Sequence, residues 1–171
     1  MDFQDILESG NRTAGYRDHI YIIEASKIPA FPAITANSNL ISAPFVPEVG
    51  SGFYKIPISD ISGKATYGEE NAGDADNPSR NSTFTAYHPG RDSVTSYYLD
   101  QVNGKKCYIL LGDKGNCNEA GDPIYQVLGS RCGGVTVRTK HDNDGTVKGY
   151  TITAEGYNVN LPLDYDQVIP V

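Results

Sequence analysis

The chain has 171 residues and a formal net charge of −7, with 14 Lys and Arg set against 21 Asp and Glu. One domain of that length buries roughly 70% of its unfolded surface, so a single core suffices. The scattered cations argue against a dedicated nucleic-acid binder, which needs Lys and Arg clustered against phosphate, and no run approaches the ~18 apolar residues of a membrane span.

With 18 Gly, 10 Pro and 12 Tyr but one Met and no Trp, the composition is that of a loop-rich, mainly β protein. Cys107, Cys117 and Cys132 form no Cys-x-x-Cys pair and leave at least one thiol over, which disfavours a secreted disulfide scaffold. The acidic start of the chain lacks the basic region of a signal peptide, so the expectation is a protein made and folded in a reducing cytoplasm.

In chain order, residues 1–16 read as an arm. His19–Glu24 is a continuous apolar run that suits a buried strand. Four prolines between Pro29 and Pro47 rule out a central strand there, because proline lacks the ladder donor, and predict an extended segment lying across another surface. Phe53–Ile58 and Ser62–Tyr67 read as strands, and the acidic stretch 68–81 as a solvated loop. Ser82–Tyr87 is a further strand. Asp92 or Ser93 caps a helix over about 93–102, in which Val94, Tyr97, Tyr98 and Val102 recur at helical spacing. Lys106–Leu111 reads as a buried strand, Gly112–Asn116 as a turn and Ile124–Leu128 as a strand.

Two β-rich runs follow, joined through Asp142-Asn-Asp-Gly145, and together they predict a long antiparallel hairpin. Val135, Val137 and Thr139 share one face, and Thr136, Arg138 and Lys140 the other. On the return strand Val147, Thr151 and Thr153 separate from Lys148, Tyr150 and Ile152. Read this way, neither face is strongly apolar, so the hairpin is expected to complete its sheet against other strands, those of another subunit among the candidates. Val135, Val137, Thr139, Val147, Tyr150 and Ile152 are the expected subunit-interface residues. The tail from Leu161 to Val171 reads as extended, which leaves one domain over 1–171.

The residues offer little chemistry. His19, His88 and His141 stand at no metal-ligand spacing with one another or with a cysteine. There is no Gly-x-Ser-x-Gly elbow, and the glycines around Cys132 mark a bend as readily as a nucleophile site. Asp142–Gly145 resembles the start of a calcium loop but lacks the glutamate at position twelve. No catalytic residue, metal or cofactor is expected. Tyrosines spread over several elements suit a polar protein interface better than one sugar platform.

Gly15-Tyr-Arg-Asp-His-Ile-Tyr-Ile-Ile-Glu24, the block from Phe84-Thr-Ala-Tyr87 through Tyr98 to Asn116, and Gly149-Tyr-Thr-Ile-Thr-Ala-Glu-Gly156 resemble the tail tube (major tail) proteins of long-tailed bacteriophages. The resemblance covers about residues 15–157. It implies a β-sandwich or half-barrel with one short flanking helix, and a virion structural protein without enzymatic activity. It further implies a homo-oligomeric ring of six copies that stacks into a tube, joins other tail proteins and passes DNA without binding it specifically, with no membrane association. Assembly would take place in the host cytoplasm, and the acidic chain would discourage DNA from adhering to the lumen. The segments 29–47 and 68–81 are the candidates for contacts between rings. A tail-terminator or head–tail joining protein is the alternative within virions. A small carbohydrate-binding β-sandwich and a hydrolase with dispersed carboxylates are the alternatives outside them.

Overall fold

The computed structural model describes residues 16–59, 66–72, 79–143, 148–158 and 163–171. These build ten strands and one α-helix. The strands are β1 (Tyr16–Glu24), β2 (Leu40–Ile41), β3 (Tyr54–Pro57), β4 (Thr66–Ala72) and β5 (Ser79–Pro89), followed by helix α1 (Ser93–Val102). Then come β6 (Lys106–Cys117), β7 (Pro123–Leu128), β8 (Val135–Asn143), β9 (Lys148–Asn158) and β10 (Leu163–Tyr165). The mainly β reading holds, and the helix spans the predicted residues.

One mixed sheet runs in the order β2-β10-β7-β6-β8-β9-β5-β4, with β1 on the other edge of β6 and β3 beyond β1. The β2–β10 pair is parallel and every other named pair is antiparallel. The sheet curls until the chain leaving β3 meets β5. Ser59 N–H donates to the Tyr87 carbonyl at 2.7 Å, and His88 Nδ1 lies 2.6 Å from the Pro57 carbonyl. A carbonyl only accepts, so Nδ1 carries the proton.

Strands β1 and β6 are buried on both faces, which explains their unbroken apolar runs. Ile20, Ile22, Cys107, Ile109 and Leu111 face a core shared with Ile56, Phe84, Val135, Val137, Ile152 and α1. The alternate residues Ile23, Tyr108 and Leu110 face a second core with Ile41, Phe45, Phe53, Val127 and Tyr165. The proline-rich segment forms the outer wall of this second core, its Phe45 ring 5.2 Å from Tyr165 and 5.8 Å from Tyr108. The surface it lies across is the chain's own sheet.

Several expectations are corrected. Gly112–Asn116 is not a turn but continues β6, because Gly112 still pairs with Tyr125 and Cys117 with Pro123 across a register shift. Gly68–Ala72 belongs to β4 and not to a loop, with Gly68 opposite Thr83 and Glu70 opposite Asn81. The tail contains β10, held between β7 and β2. The arm at 1–15, strand residues 62–65, loop residues 73–78 and the turn at 144–147 lie outside the described residues.

Asp92 caps α1, its carboxylate accepting from the N–H groups of Val94 and Thr95. A bond from the Thr95 side chain, ahead of that from its N–H, is the largest cause holding the Asp92 carboxyl below its ordinary range. The helix turns Thr95, Ser96, Leu99 and Val102 inward, while Val94 and Tyr97 face solvent at 62% and 68% exposure. The helical spacing was therefore legible, but the face it buries begins one residue later than Val94.

Candidate assembly surface

Of the expected interface residues, Val135, Val137, Tyr150 and Ile152 are buried inside the chain's own first core. Thr139 is half-buried, its hydroxyl donating to the Leu99 carbonyl at 3.3 Å. Val147 lies outside the described residues. The four buried side chains present no surface to a neighbour, which corrects the reading of the hairpin as polar on both sides. The register supplies the reason: Val137 stands opposite Ala154, Thr139 opposite Ile152 and His141 opposite Tyr150, so the apolar residues of both strands share one face. The hairpin is an ordinary amphipathic pair with one face on the core.

The other face of β8, β9 and β5 is the exposed one, and its rows follow from the two registers. Thr136, Glu155 and Thr83 form one row; Arg138, Thr153 and Thr85 the next; Lys140, Thr151 and Tyr87 the third. Five threonines thus make a polar pleated surface without an apolar patch. Its charges balance: Lys140 Nζ lies 2.8 Å from Asp142 Oδ1, and Thr151 donates to Asp142 Oδ2 at 2.8 Å. The Lys140 contact is the main reason the Asp142 carboxyl lies below its ordinary range. Glu155 stands diagonal to Arg138. An acidic lining is therefore not what the described part of this face offers; it is neutral and hydroxyl-rich. Gly149 continues the face, and a Cβ there would fall 2.6 Å from the Tyr87 hydroxyl, so the tyrosine fills the gap that the glycine leaves.

With β4 beyond β5, the ribbon β8-β9-β5-β4 has two margins, and the β8 margin is occupied along its first part and open at its end. Val137 accepts from Gly104 N–H and donates to the Lys105 carbonyl, so odd-numbered residues of β8 direct their peptide groups away from β9. Asn103 Oδ1 caps the next N–H in that row, from Thr139, at 3.0 Å. Beyond it, the His141 and Asn143 peptides have no partner among the described residues. At the opposite margin, the β4 edge facing away from β5 is likewise unpaired by any described strand. Sequence reasoning sought interface side chains and missed that the exposed groups are backbone. The signal was there in the polar alternation of Thr83, Thr85, Thr151 and Thr153.

The remaining candidates for chemistry stay apart. His88 is buried with Nε2 unpartnered among the described residues, whereas His141 is exposed, its ring tilted at 52° to that of Tyr150 with centroids 4.9 Å apart. No group of three His, Cys, Asp or Glu among the described residues is placed to hold a metal ion. Tyr97 is the one strongly exposed aromatic ring among the described residues, and Tyr54 and Tyr98 stack on each other against the core, so no aromatic sugar platform forms. Cys132 sits at the tip of a tight excursion in which Ser130 and Gly133 exchange backbone bonds of 2.9 and 3.0 Å, with no histidine bonded to it.

Burial pushes the Cys107 thiol up to about 12, whereas Cys117 and Cys132 are exposed. A thiol-reactive dye is expected to label those two in the native protein and Cys107 only after denaturation. Native labelling of all three would contradict this packing.

Comparison with protein families, with curated proteins and with solved structures finds no match for this chain.

Proposed function

We propose that this protein is a tail tube subunit of a long-tailed bacteriophage, a virion structural component assembled in the host cytoplasm. The observation that supports the reading is the ribbon β8-β9-β5-β4, with a hydroxyl-rich face away from the core on β8, β9 and β5, a β4 edge that no described strand pairs, and the outward peptides of His141 and Asn143 at the end of β8. Its four strands alternate in direction, so β4 runs opposite to β8. Joining β4 of one copy to β8 of the next therefore continues the antiparallel pattern, and a head-to-tail contact of this kind closes into a ring when the rotation allows.

About six copies would contribute about 24 strands at ~4.8 Å spacing, a backbone circle roughly 37 Å across before strand tilt widens it. That opening admits a double helix. The hydroxyl-rich, charge-balanced face would line it, offering phosphate no cluster of unpaired cations and so little reason to adhere. Stacked rings and other tail proteins are the remaining partners.

Negative-stain microscopy of the purified chain is expected to show rings or tubes of uniform width. Proline at His141 or Asn71 removes an N–H that the register aims outward, so each variant is expected to keep its far-UV circular dichroism and lose the rings. A wild-type chain that stays monomeric at its highest soluble concentration, or proline variants that assemble normally, would overturn the proposal.

A further inference from the structure

Away from the polar ribbon lies a groove of about 370 Å³ between the C-terminal tail and the start of β7. Its aromatic members are Tyr21 and Tyr125, which meet edge to face at 5.7 Å, and Ile169, Val168 and Val171 complete its apolar lining. Val168 and Val171 are each 84% exposed. Asp122 and Asp166 also line the groove, and neither pairs with a cation among the described residues.

The matching feature is on α1. Val94 and Tyr97, three residues apart, form an exposed apolar stripe, and the exposed Arg91 lies just before the helix. Leu99 and Val102 of α1 pack into the first core, whereas Tyr125 and the tail residues Tyr165 and Ile169 belong to the second. Helix and groove thus lie on opposite sides of the β1–β6 layer. Within one chain they do not meet.

We infer that copies of this chain associate head to tail by seating the Val94–Tyr97 stripe of one copy in the Tyr21–Tyr125 groove of the next, with Arg91 facing Asp122 and Asp166. Three features favour a second copy as the occupant. An aromatic anchor meets an edge-to-face aromatic groove, a cation meets two carboxylates that accept amide hydrogen bonds from Asn118 and Gln167 but face no cation among the described residues, and the two surfaces face apart, as a repeating contact requires. Such helix-in-groove contacts are small, and interfaces below ~1,200 Å² are typically weak and transient. Alone, this one should appear only at high protein concentration; repeated around an assembly, it adds by effective concentration. It does not depend on strand pairing.

The test uses the full chain carrying His141→Pro and Asn71→Pro, so that edge pairing is blocked. Sedimentation velocity over a concentration series is expected to show a weight-average coefficient that rises with concentration. Tyr97→Asp and Val168→Asp are both expected to flatten it, with thermal melts confirming that these surface changes leave the fold intact. Arg91→Asp alone should weaken association about fivefold, and adding Asp122→Arg and Asp166→Arg should restore it. A monomer at every concentration, an unchanged slope in Tyr97→Asp, or failure of the charge swap to restore association would each overturn the inference. Blocking the edges separates the outcomes: loss of rings with this contact retained counts against the contact in no way, and its absence leaves strand pairing to be judged by the rings alone.

Discussion

Replacing Gly134 with alanine is expected to lower the melting temperature by about 10 °C, an effect of about 3 kcal/mol in a chain of this size. A Cβ at this position would lie 2.3 Å from the Cys107 carbonyl oxygen, 2.6 Å from its carbon and 2.8 Å from its nitrogen. All three are backbone atoms of β6, so no flexible side chain can yield. Either β6 or the start of β8 must move, and both carry core residues on this side: Cys107 and Ile109 on one, Val135 and Val137 on the other. The junction matters because β7 and β8 pair successively with β6, with the excursion 129–134 between them. Gly121→Ala is the control: its φ of 88° strains an alanine, but nothing lies within 4 Å of a Cβ there, so its cost is the backbone conformation alone. If Gly134→Ala melts no lower than Gly121→Ala, the close approach of β8 to β6 is wrong.

Tyr165→Ala is expected to cost about 3–5 kcal/mol, the range for deleting a fully buried aromatic ring. Tyr165 has no exposed surface. Its hydroxyl accepts from Phe45 N–H at 3.3 Å and donates to the Val168 carbonyl at 2.7 Å, tying the proline-rich segment to the tail. Burial raises the Tyr165 hydroxyl above its ordinary range, so the group stays protonated and able to donate. Tyr165→Phe separates the two roles. It keeps the ring packed against Phe45 but leaves the buried Phe45 N–H without a partner, a loss of about 1–3 kcal/mol. The tail should then loosen at Pro170, whose carbonyl accepts from Phe53 N–H at 2.7 Å. Chemical denaturation of both variants, with limited proteolysis of the tail, checks the order. Equal stabilities for Tyr165→Phe and wild type would show that the hydroxyl does not bridge the segments.

The two substitutions probe features that differ in how legible they were. Period-two patterning and β-branched runs located β1, β3, β5, β7 and the β8–β9 hairpin, and the cap at Asp92 with helical spacing as far as Val102 located α1, because these are local preferences of consecutive residues. β2 and β10 were not legible. Two residues at Leu40 and three at Leu163 are too short to show a period, and they are strands only because each finds a partner distant in sequence. Gly112–Asn116 has the composition of a turn yet lies in β6, where pairing with β1 and β7 outweighs it. The candidate site divided in the same way. The polar alternation of the threonine-bearing strands could be read from the residues, but Val135, Val137, Tyr150 and Ile152, assigned to a contact surface, face the core.

Side-chain alternation and capping act within a few residues, so a mainly β chain with one helix at 93–102 and a long hairpin was legible from the residues alone. Which face of that hairpin is buried became visible in the folded chain. Opposite register partners share a side, and register depends on where two strands meet, so His141 with Tyr150 and Thr139 with Ile152 turned Val135 and Val137 inward. The structure likewise decided that the open groups are the peptides of His141 and Asn143 and the far edge of β4. An unpaired edge is the absence of a neighbour, and no run of residues encodes that by itself.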